Sequence, residues 1–254
     1  MRTSEQTKYD TKRLKTPREL VVGVLGGMGP EATVDFMQKV IAATPAQKDQ
    51  DHISLLVHQN PKVPNRRDAI FCEGEDPGPA LATMASDLER AGADFLVMPC
   101  NAAHVFESQI IKAIAIPLLS IVQVSVSAAL AHGNGCVGVM ATDGCLKSGI
   151  YQSALRNRGV DCTIPEDDNI DELMGLINLI KAGHQSVEIK SKMKCIAEKL
   201  ILRGASIVIA GCTEIPLVLQ SNELEVPLIS STDELATATV DVALGTSELP
   251  SIAK

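Results

Sequence analysis

Two segments of this chain are near copies of each other, and each contains a cysteine close to its end. Residues 91–101 read AGADFLVMPCN, and residues 203–213 read RGASIVIAGCT. In both segments a Gly-Ala pair leads into an unbroken apolar run, which is the pattern of a buried parallel strand. Cys100 and Cys212 are therefore expected just past the carboxyl ends of two strands. Open α/β sheets place their ligand crevices at such strand ends.

The likeness between the two halves extends beyond the cysteines. VGVLGGMGPEAT at residues 22–33 precedes the first cysteine, and VGVMATDGCLKS at residues 137–148 precedes the second. IPLLS at residues 116–120 follows the first, and VPLIS at residues 226–230 follows the second. This period is too long for a solenoid, whose repeats span about 20–50 residues. The sequence therefore predicts a duplicated α/β half-domain.

Composition limits the classes of protein to which the chain can belong. Of its 254 residues, 45% are hydrophobic, which is enough to bury a core. At roughly 100–150 residues per domain, the length allows two lobes. Aromatic residues make up only 2% and the formal net charge is −8, so we expect neither nucleic acid nor a membrane as a partner. Apolar runs stay well short of the about 18 residues that a membrane span needs.

The N-terminal segment and the cysteines bear on where the protein resides. Residues 1–18 are polar and rich in Lys and Arg, without the apolar stretch of a secretory signal. We interpret this segment as a flexible tail. The seven cysteines are odd in number and include no CxxC pair, which favours free thiols in a reducing compartment. We therefore expect a cytoplasmic protein.

Alternating strand and helix patterns predict the fold class. Strands are expected at residues 20–25, 53–57, 95–98, 136–140, 160–164 and 207–210. Helices are expected from residue 31 and at residues 80–91, 102–113, 146–158, 168–182, 187–203 and 232–244. This alternation predicts an α/β fold with mainly parallel sheets.

Cys100 and Cys212 are the cysteines with the strongest claim to chemistry. Each stands between a predicted strand and a following helix, whose N-terminus would stabilise a thiolate and lower the thiol pKa. The alternative is that both are small residues filling a tight turn. Cys136, Cys162 and Cys195 are expected to be inert core thiols because they fall in apolar strand or helix patterns.

The two remaining cysteines, Cys72 and Cys145, lie on predicted loops or turns and are candidates for exposure. Neither has a repeated context of the kind that Cys100 and Cys212 share. We therefore expect no direct catalytic role for them.

A pair of matching thiols is compatible with several reactions. His104 follows Cys100 closely enough for a nucleophile–base pair, but this leaves Cys212 unexplained. A redox disulfide would lack the CxxC spacing, and a zinc site would need further ligands, with no His near Cys212. We therefore expect no metal. Two opposed acid/base groups suit removal of a proton from one face of a carbon and delivery to the other, as in racemisation or epimerisation.

The motifs around the cysteines resemble a known family. LGGMGPEAT, QNPKVPNR, GEDP, GADFLVMPCNAAH, ATDG, IKAG and GCTEIPLVL together resemble the aspartate/glutamate racemases, which need no cofactor. The resemblance covers residues 20–245, and GCTE in place of GCTH is typical of the aspartate racemase branch. It implies an isomerase acting on an amino acid, and usually a homodimer.

The resemblance also implies an architecture. It consists of two pseudo-symmetric, three-layer α/β lobes with the active site in the cleft between them. We place the first lobe at residues 19–116 plus 230–248 and the second at residues 117–229.

The resemblance further implies roles for individual residues. Cys100 and Cys212 match the two acid/base residues, each of which serves one enantiomer. Arg66 and Lys181 match residues that hold the substrate carboxylates. The other expected substrate-binding residues are Met28, Gly29, Asn60, Asn101, Ala102, Thr142 and Thr213.

Several of these residues also have a plainer interpretation. Arg66 could be a solvated loop charge, as we expect for its neighbour Arg67. Lys181 could be the charge that complements a helix C-terminus. Asn101 and Thr213 could be helix N-caps.

The sequence leaves the choice of substrate open. The family commonly has Thr where this chain has Ala102, so a hydroxyl that could orient the substrate or the thiolate is absent. The first hypothesis is interconversion of L- and D-aspartate, with a glutamate or broader-specificity racemase as the alternative. A related dicarboxylate isomerase or decarboxylase is a second class, and an amino-acid-binding module is a third. Arg66 and Lys181 favour an amino acid over other dicarboxylates, and the paired thiols disfavour a mere binder.

Overall fold

A computed structural model describes residues 20–250 of the chain. The predicted N-terminal tail, residues 1–18, lies outside the described residues. Within them, the chain forms two four-stranded sheets. Each sheet is parallel throughout, and no described helix is both long and apolar enough to cross a membrane.

The two sheets repeat one strand order, β2-β1-β3-β4 in the first and β6-β5-β7-β8 in the second. The strands are β1 (Val21–Gly26), β2 (Ser54–Gln59), β3 (Phe95–Val97), β4 (Leu118–Leu119), β5 (Val137–Ala141), β6 (Cys162–Thr163), β7 (Ile207–Gly211) and β8 (Leu228–Ser230). Because β3 and β7 occupy the same place in the order, the segments that carry the cysteines are structural equivalents. The predicted duplication is thus confirmed as two α/β lobes.

Helices cover both faces of each sheet, which gives three layers in each lobe. They are α1 (Pro30–Ala43), α2 (Arg66–Ile70), α3 (Gly78–Arg90), α4 (Glu107–Ala113), α5 (Ile121–Ala131), α6 (Asp143–Ser148), α7 (Ile150–Arg156), α8 (Asp167–Lys181), α9 (Val187–Leu202) and α10 (Ser231–Leu244). Helices α3 and α4 bury one apolar cluster against the first sheet, and α8 and α9 bury another against the second.

The lobes exchange a helix. Helix α5 follows β4 of the first sheet but packs on α7, β7 and β8 of the second lobe. Helix α10 follows β8 of the second sheet and packs on α1 and β1 of the first lobe, and α5 and α10 also pack on each other. A single apolar core therefore joins both lobes, with Phe36 and Val40 of α1 in one cluster with Tyr151 of α7 and Leu235 of α10.

The equivalence of the lobes includes a close packing contact. Gly23 in β1 pairs with Leu96 of β3, and Gly138 in β5 pairs with Val208 of β7. A Cβ on Gly23 would lie 3.0 Å from Ala93 Cβ, and a Cβ on Gly138 would lie 3.1 Å from Ala205 Cβ. Glycine at both places lets the segment that follows α3 or α9 approach the sheet closely.

The structure confirms the predicted strands and most helices, with shifts at their ends, and differs in several places. The helix predicted at residues 146–158 begins earlier and is split at Gly149, whose φ is +70°. The helix predicted at residues 102–113 starts with a 3-10 turn, Ala102–Phe106. After Cys212 there is only a 3-10 turn, Ile215–Leu217. Strand β4 lies in the first sheet although it falls past the predicted lobe boundary at residue 116.

Two expectations about the other cysteines are wrong. Cys195 is exposed, because the buried stripe of α9 runs through Ile189, Met193 and Ile196 and Cys195 lies off it. Cys145 is buried, because it packs into the apolar core that joins the two lobes. Cys136 and Cys162 are partly exposed and Cys72 is exposed, and all seven cysteines are free thiols.

Candidate active site

Cys100 and Cys212 line one cavity of about 140 Å³ between the two lobes. Cys100 follows β3 and Cys212 follows β7 directly, so each thiol comes from the carboxyl end of a central strand. Both cysteines are largely buried, with 7% and 5% of their surface exposed. The prediction that the two boxes converge on one site thus agrees with the geometry.

Most of the residues expected to bind substrate lie in the wall of this cavity. They are Met28, Arg66, Asn101, Ala102, Thr142, Lys181 and Thr213. Gly29 instead lines an adjoining cavity of about 280 Å³, which shares Arg66 and Lys181 with the first. Asn60 lines neither cavity, because its Oδ1 accepts the backbone N–H of Lys62 at 2.9 Å and its amide nitrogen faces Met84 Sδ.

The cavity wall also contains residues that the sequence did not suggest as binding groups. They are Asn65, Arg67, Met174, Asn178, Gly211 and Glu214. Asn178 lies one helical turn before Lys181 on α8, so the helical spacing could have indicated it. In the sequence, Glu214 was noted only as the residue that distinguishes GCTE from GCTH, because nothing in the sequence shows where its carboxylate points.

Arg67 is not the simple solvated charge that we expected. Its Nε donates to Asp143 Oδ2 at 2.7 Å, although its side chain is 44% exposed. Arg67 belongs to α2 of the first lobe and Asp143 to α6 of the second, so this ion pair spans the cleft. The Phe71 ring supports the same contact, because its centroid lies 4.6 Å from the Arg67 guanidinium and 3.8 Å from Lys147 Nζ of α6.

Arg66 and Lys181 bring positive charge to the cavity from opposite lobes. Arg66 begins α2, and its Nη1 donates to the carbonyls of Val63 and Pro64, which hold the guanidinium in place. Lys181 ends α8, as its interpretation as a helix C-terminal charge requires, and it also lines the cavity. The two roles of Lys181 are therefore compatible.

Cys212 has a carboxylate as its direct partner. Its Sγ lies 2.9 Å from Glu214 Oε2, and the Thr213 hydroxyl donates to the same oxygen at 3.1 Å. Lys181 Nζ lies 3.9 Å from Glu214 Oε1. The Thr213 hydroxyl is therefore occupied by its hydrogen bond to Glu214, and Thr213 caps no helix.

The surroundings of Cys212 favour its thiol form. Burial raises the pKa of Cys212 well above its ordinary value, and the negative charge of Glu214 raises it further, while Lys181 lowers it. This result contradicts the expectation of a thiolate stabilised by a helix N-terminus, because only a short 3-10 turn follows Cys212.

Asn101 is held by a buried network that includes Tyr151 of the other lobe and Ser231 of α10. Its Oδ1 accepts the Tyr151 hydroxyl at 2.6 Å, and its Nδ2 donates to Ser231 Oγ at 3.1 Å. The Tyr151 hydroxyl also lies 3.4 Å from Ser125 Oγ. Asn101 makes no side-chain cap, so the N-cap interpretation is wrong, and its amide fixes the residue that follows Cys100.

His104 braces the loop of Cys100 instead of acting on its thiol. Its Nδ1 donates to the Cys100 carbonyl at 2.8 Å, and its Nε2 accepts the backbone N–H of Ile121 at 3.2 Å. Burial lowers the pKa of His104 to about 4, although the hydrogen bond to the Cys100 carbonyl raises it slightly. The ring is therefore neutral near pH 7, with both nitrogens engaged by the backbone.

These groups define the chemistry that the site can perform. Two thiols can exchange protons with a bound molecule, and the cations can hold its carboxylates. Within residues 20–250, no group of three or more His, Cys, Asp and Glu side chains is placed to hold a metal ion.

Comparison with known proteins identifies the family of the chain. The family model described as Asp/Glu/Hydantoin racemase matches residues 25–239. The broad-specificity amino-acid racemase RacX of Bacillus subtilis (strain 168) is 30% identical over 228 residues, which cover 88% of this chain and 98% of RacX.

Solved structures agree with the family match. The aspartate racemase of Picrophilus torridus superposes with a TM-score of 0.79 at 28% identity, covering 89% of this chain and 94% of that one. An aspartate racemase homologue from Pyrococcus horikoshii OT3 shares the fold with a TM-score of 0.74 at 22% identity, over 87% of this chain and 98% of that one. The chain thus belongs to the Asp/Glu/hydantoin racemase family and is an amino-acid racemase, an isomerase.

Proposed function

We propose that the protein interconverts L- and D-aspartate without a cofactor, by proton transfer between Cα and the thiols of Cys100 and Cys212. The observation that carries this proposal is that both thiols line one small cavity between the lobes. A single nucleophile or a binding module would use one of them at most.

The reaction needs one thiolate and one thiol at a time. The thiolate removes the Cα proton from one face, and the electron pair remains on Cα. The thiol then donates its proton to the opposite face, which inverts the centre. Each turnover leaves the protons exchanged, so each cysteine is the base for one enantiomer and the acid for the other.

The cationic residues account for how a weakly acidic Cα–H can be removed. The developing carbanion spreads charge onto the α-carboxylate, and fixed donors beside it contribute about 3–4 kcal/mol each. Arg66 can bind one carboxylate of aspartate through two parallel hydrogen bonds, and Lys181 can bind the second carboxylate through its ammonium group.

A broader-specificity amino-acid racemase is the second candidate, and three observations favour it. The first observation is the similarity to a broad-specificity racemase, which covers 88% of this chain. The adjoining cavity of about 280 Å³ offers room for glutamate or another longer side chain. Ala102 carries no hydroxyl, so the cavity wall has one hydrogen-bonding group fewer with which to select one substrate side chain over another.

Incubation of separate L- and D-amino acids in D₂O, followed by chiral analysis, tests the proposal. We expect aspartate to racemise fastest and to gain deuterium at Cα, and we expect Cys100→Ala and Cys212→Ala each to abolish racemisation. Cys195→Ala is the matched control because that thiol is exposed on α9. Racemisation that survives in either cysteine variant would contradict the two-thiol mechanism, and faster turnover of another amino acid would contradict aspartate.

We also propose a cytoplasmic homodimer. The seven free thiols suit a reducing compartment. Val34 and Ile41 are exposed on one face of α1, with 48% and 55% of their surface accessible, and they are suited to a subunit contact. Light scattering during size-exclusion chromatography should give twice the chain mass, and Ile41→Asp should lower it.

A further inference from the structure

We propose that Glu214 is a positioning residue that accepts the proton of Cys212 when that cysteine must act as a base, so that it serves one enantiomer and not the other. This inference rests on the proposed two-thiol function. It concerns the carboxylate beside one of the two thiols.

The contacts of Glu214 define it as a proton acceptor. The Cys212 thiol and the Thr213 hydroxyl both reach Oε2, at 2.9 and 3.1 Å. Glu214 is only 8% exposed, so water contributes little to the solvation of its carboxylate. Lys181 Nζ at 3.9 Å from Oε1 compensates part of the negative charge.

The surroundings of Cys212 keep it protonated at rest. It can therefore act as the acid directly, but it must lose its proton before it can act as the base. Burial and Glu214 both raise the pKa of Cys212, which keeps the proton on sulfur. As a thiol, Cys212 can deliver its proton to Cα in one direction of the reaction. In the other direction it must first lose that proton, and Glu214 Oε2 is the acceptor within hydrogen-bond reach.

The proton balance of this step is simple. The S–H bond of Cys212 breaks, an O–H bond forms on Glu214, and the negative charge moves from oxygen to sulfur. The thiolate then removes the Cα proton, the electron pair stays on Cα, and Cys100 donates its proton to the opposite face. Glu214 afterwards releases its proton to solvent and the Cys100 thiolate takes one up from solvent, which restores the starting state.

Cys100 has no equivalent aid among the residues near it in sequence. The residue at the position equivalent to Glu214 is Ala102, which carries no proton acceptor. His104 is committed to the Cys100 carbonyl and the Ile121 amide. Each half of the duplicated site therefore contributes a thiol, whereas the Glu214 carboxylate beside Cys212 has no counterpart at position 102 beside Cys100.

Net racemisation cannot reveal this asymmetry. Because L- and D-enantiomers have equal free energy, kcat/KM must be the same in both directions for every variant. A one-way reaction removes the constraint. Proton removal from Cα of β-chloroalanine is followed by loss of chloride, and the aminoacrylate formed hydrolyses to pyruvate and ammonium, so each enantiomer reports one proton removal.

The experiment measures pyruvate release from L- and D-β-chloroalanine separately. Cys100→Ala and Cys212→Ala first assign each enantiomer to its base. We expect Glu214→Gln to slow release about 100-fold for the enantiomer assigned to Cys212 and to stay within about threefold of wild type for the other. Glu214→Asp, which keeps the carboxylate, should recover part of the lost rate.

The matched control is Glu188→Gln, which removes a carboxylate that is exposed on α9 and paired with Lys192. It should leave both rates unchanged. An equal loss for both enantiomers in Glu214→Gln, or a loss for the enantiomer assigned to Cys100, would overturn the inference. If the two cysteine variants fail to separate the enantiomers, the two-thiol function itself is wrong, and that result does not involve Glu214.

Discussion

The Tyr151 hydroxyl donates a hydrogen bond to Asn101 Oδ1 at 2.6 Å, which ties helix α7 of the second lobe to the loop carrying Cys100. Tyr151 is fully buried and Asn101 nearly so. The residue beside one thiol is thus held by the lobe that carries the other thiol. Loss of this contact should affect both stability and the relative placement of the thiols.

Tyr151→Phe tests the contact by deleting one oxygen. We expect the free energy of unfolding in urea to fall by about 1–3 kcal/mol, because Asn101 Oδ1 loses its donor inside the protein. We also expect kcat to fall more than KM rises, since the change disturbs the thiols more than the carboxylate-binding groups. Ser153→Ala, which removes an exposed hydroxyl from the same helix, should change neither quantity. Wild-type stability in Tyr151→Phe would contradict the bridging role.

Gly211→Ala should weaken the enzyme through packing. A Cβ at this position would lie 2.9 Å from Tyr151 Cε2 and 3.2 Å from Ala141 Cβ. We expect a loss of about 1–3 kcal/mol in unfolding free energy, because the ring has no free space to move into. Activity should fall too, since Gly211 directly precedes Cys212.

Gly175→Ala is the matched control for that variant. Gly175 lies within α8, and a Cβ there would meet no atom within 4 Å. Alanine should raise the unfolding free energy by about 0.5–1 kcal/mol, because glycine is a poor residue for a helix interior. If both alanine variants changed stability in the same direction, the packing argument at Gly211 would be wrong.

His104 should make stability depend on pH. In the unfolded chain a histidine gains a proton below pH 6.5, whereas buried His104 stays neutral until about pH 4. Between these values the unfolded state binds more protons, so folded stability is complete above pH 6.5 and is lost as the pH falls. The loss reaches about 3 kcal/mol at pH 4.

Urea unfolding of His104→Gln between pH 7 and pH 4 measures that component. We expect the variant to be less stable at pH 7, because one or both backbone contacts of the ring are lost, and to depend less on pH than wild type. His52→Gln is the control at an exposed histidine. Parallel pH profiles for wild type and His104→Gln would count against this prediction.

The ion pair between Arg67 and Asp143 should influence substrate binding across the cleft. Asp143→Ala removes the ion pair between α2 and α6, and we expect KM to rise by up to about fivefold, with the difference from wild type shrinking at high salt. The double variant Arg67→Asp with Asp143→Arg should recover little, because the guanidinium also lines the cavity. Full recovery in the double variant would show that only the pairing of charges matters.

The sequence was informative about the duplicated framework because strand and helix patterns are local. The apolar runs before Cys100 and Cys212 identified β3 and β7, and their common position predicted one shared site. Helix α5 was missed because it is apolar on nearly all sides, packed between α7 and α10, so it lacks the alternation that marks a surface helix.

The remaining features depend on contacts between distant parts of the chain. The network from Asn101 to Tyr151 and Ser231 joins residues that no sequence spacing relates. The pKa of Cys212 depends on burial and on where the carboxylate of Glu214 points, and neither follows from the motif GCTE. The burial of Cys145 likewise follows from tertiary packing.

The exchange of helices between the lobes has a consequence for synthesis on the ribosome. Helix α10, which covers α1, is the last element of the described chain, whereas α1 follows directly on its first strand. The nascent first lobe must therefore keep an apolar helix face uncovered until α10 has been synthesised. We expect it to be a substrate for chaperones during that interval, and the second lobe, whose α5 is made before its sheet, to mature first.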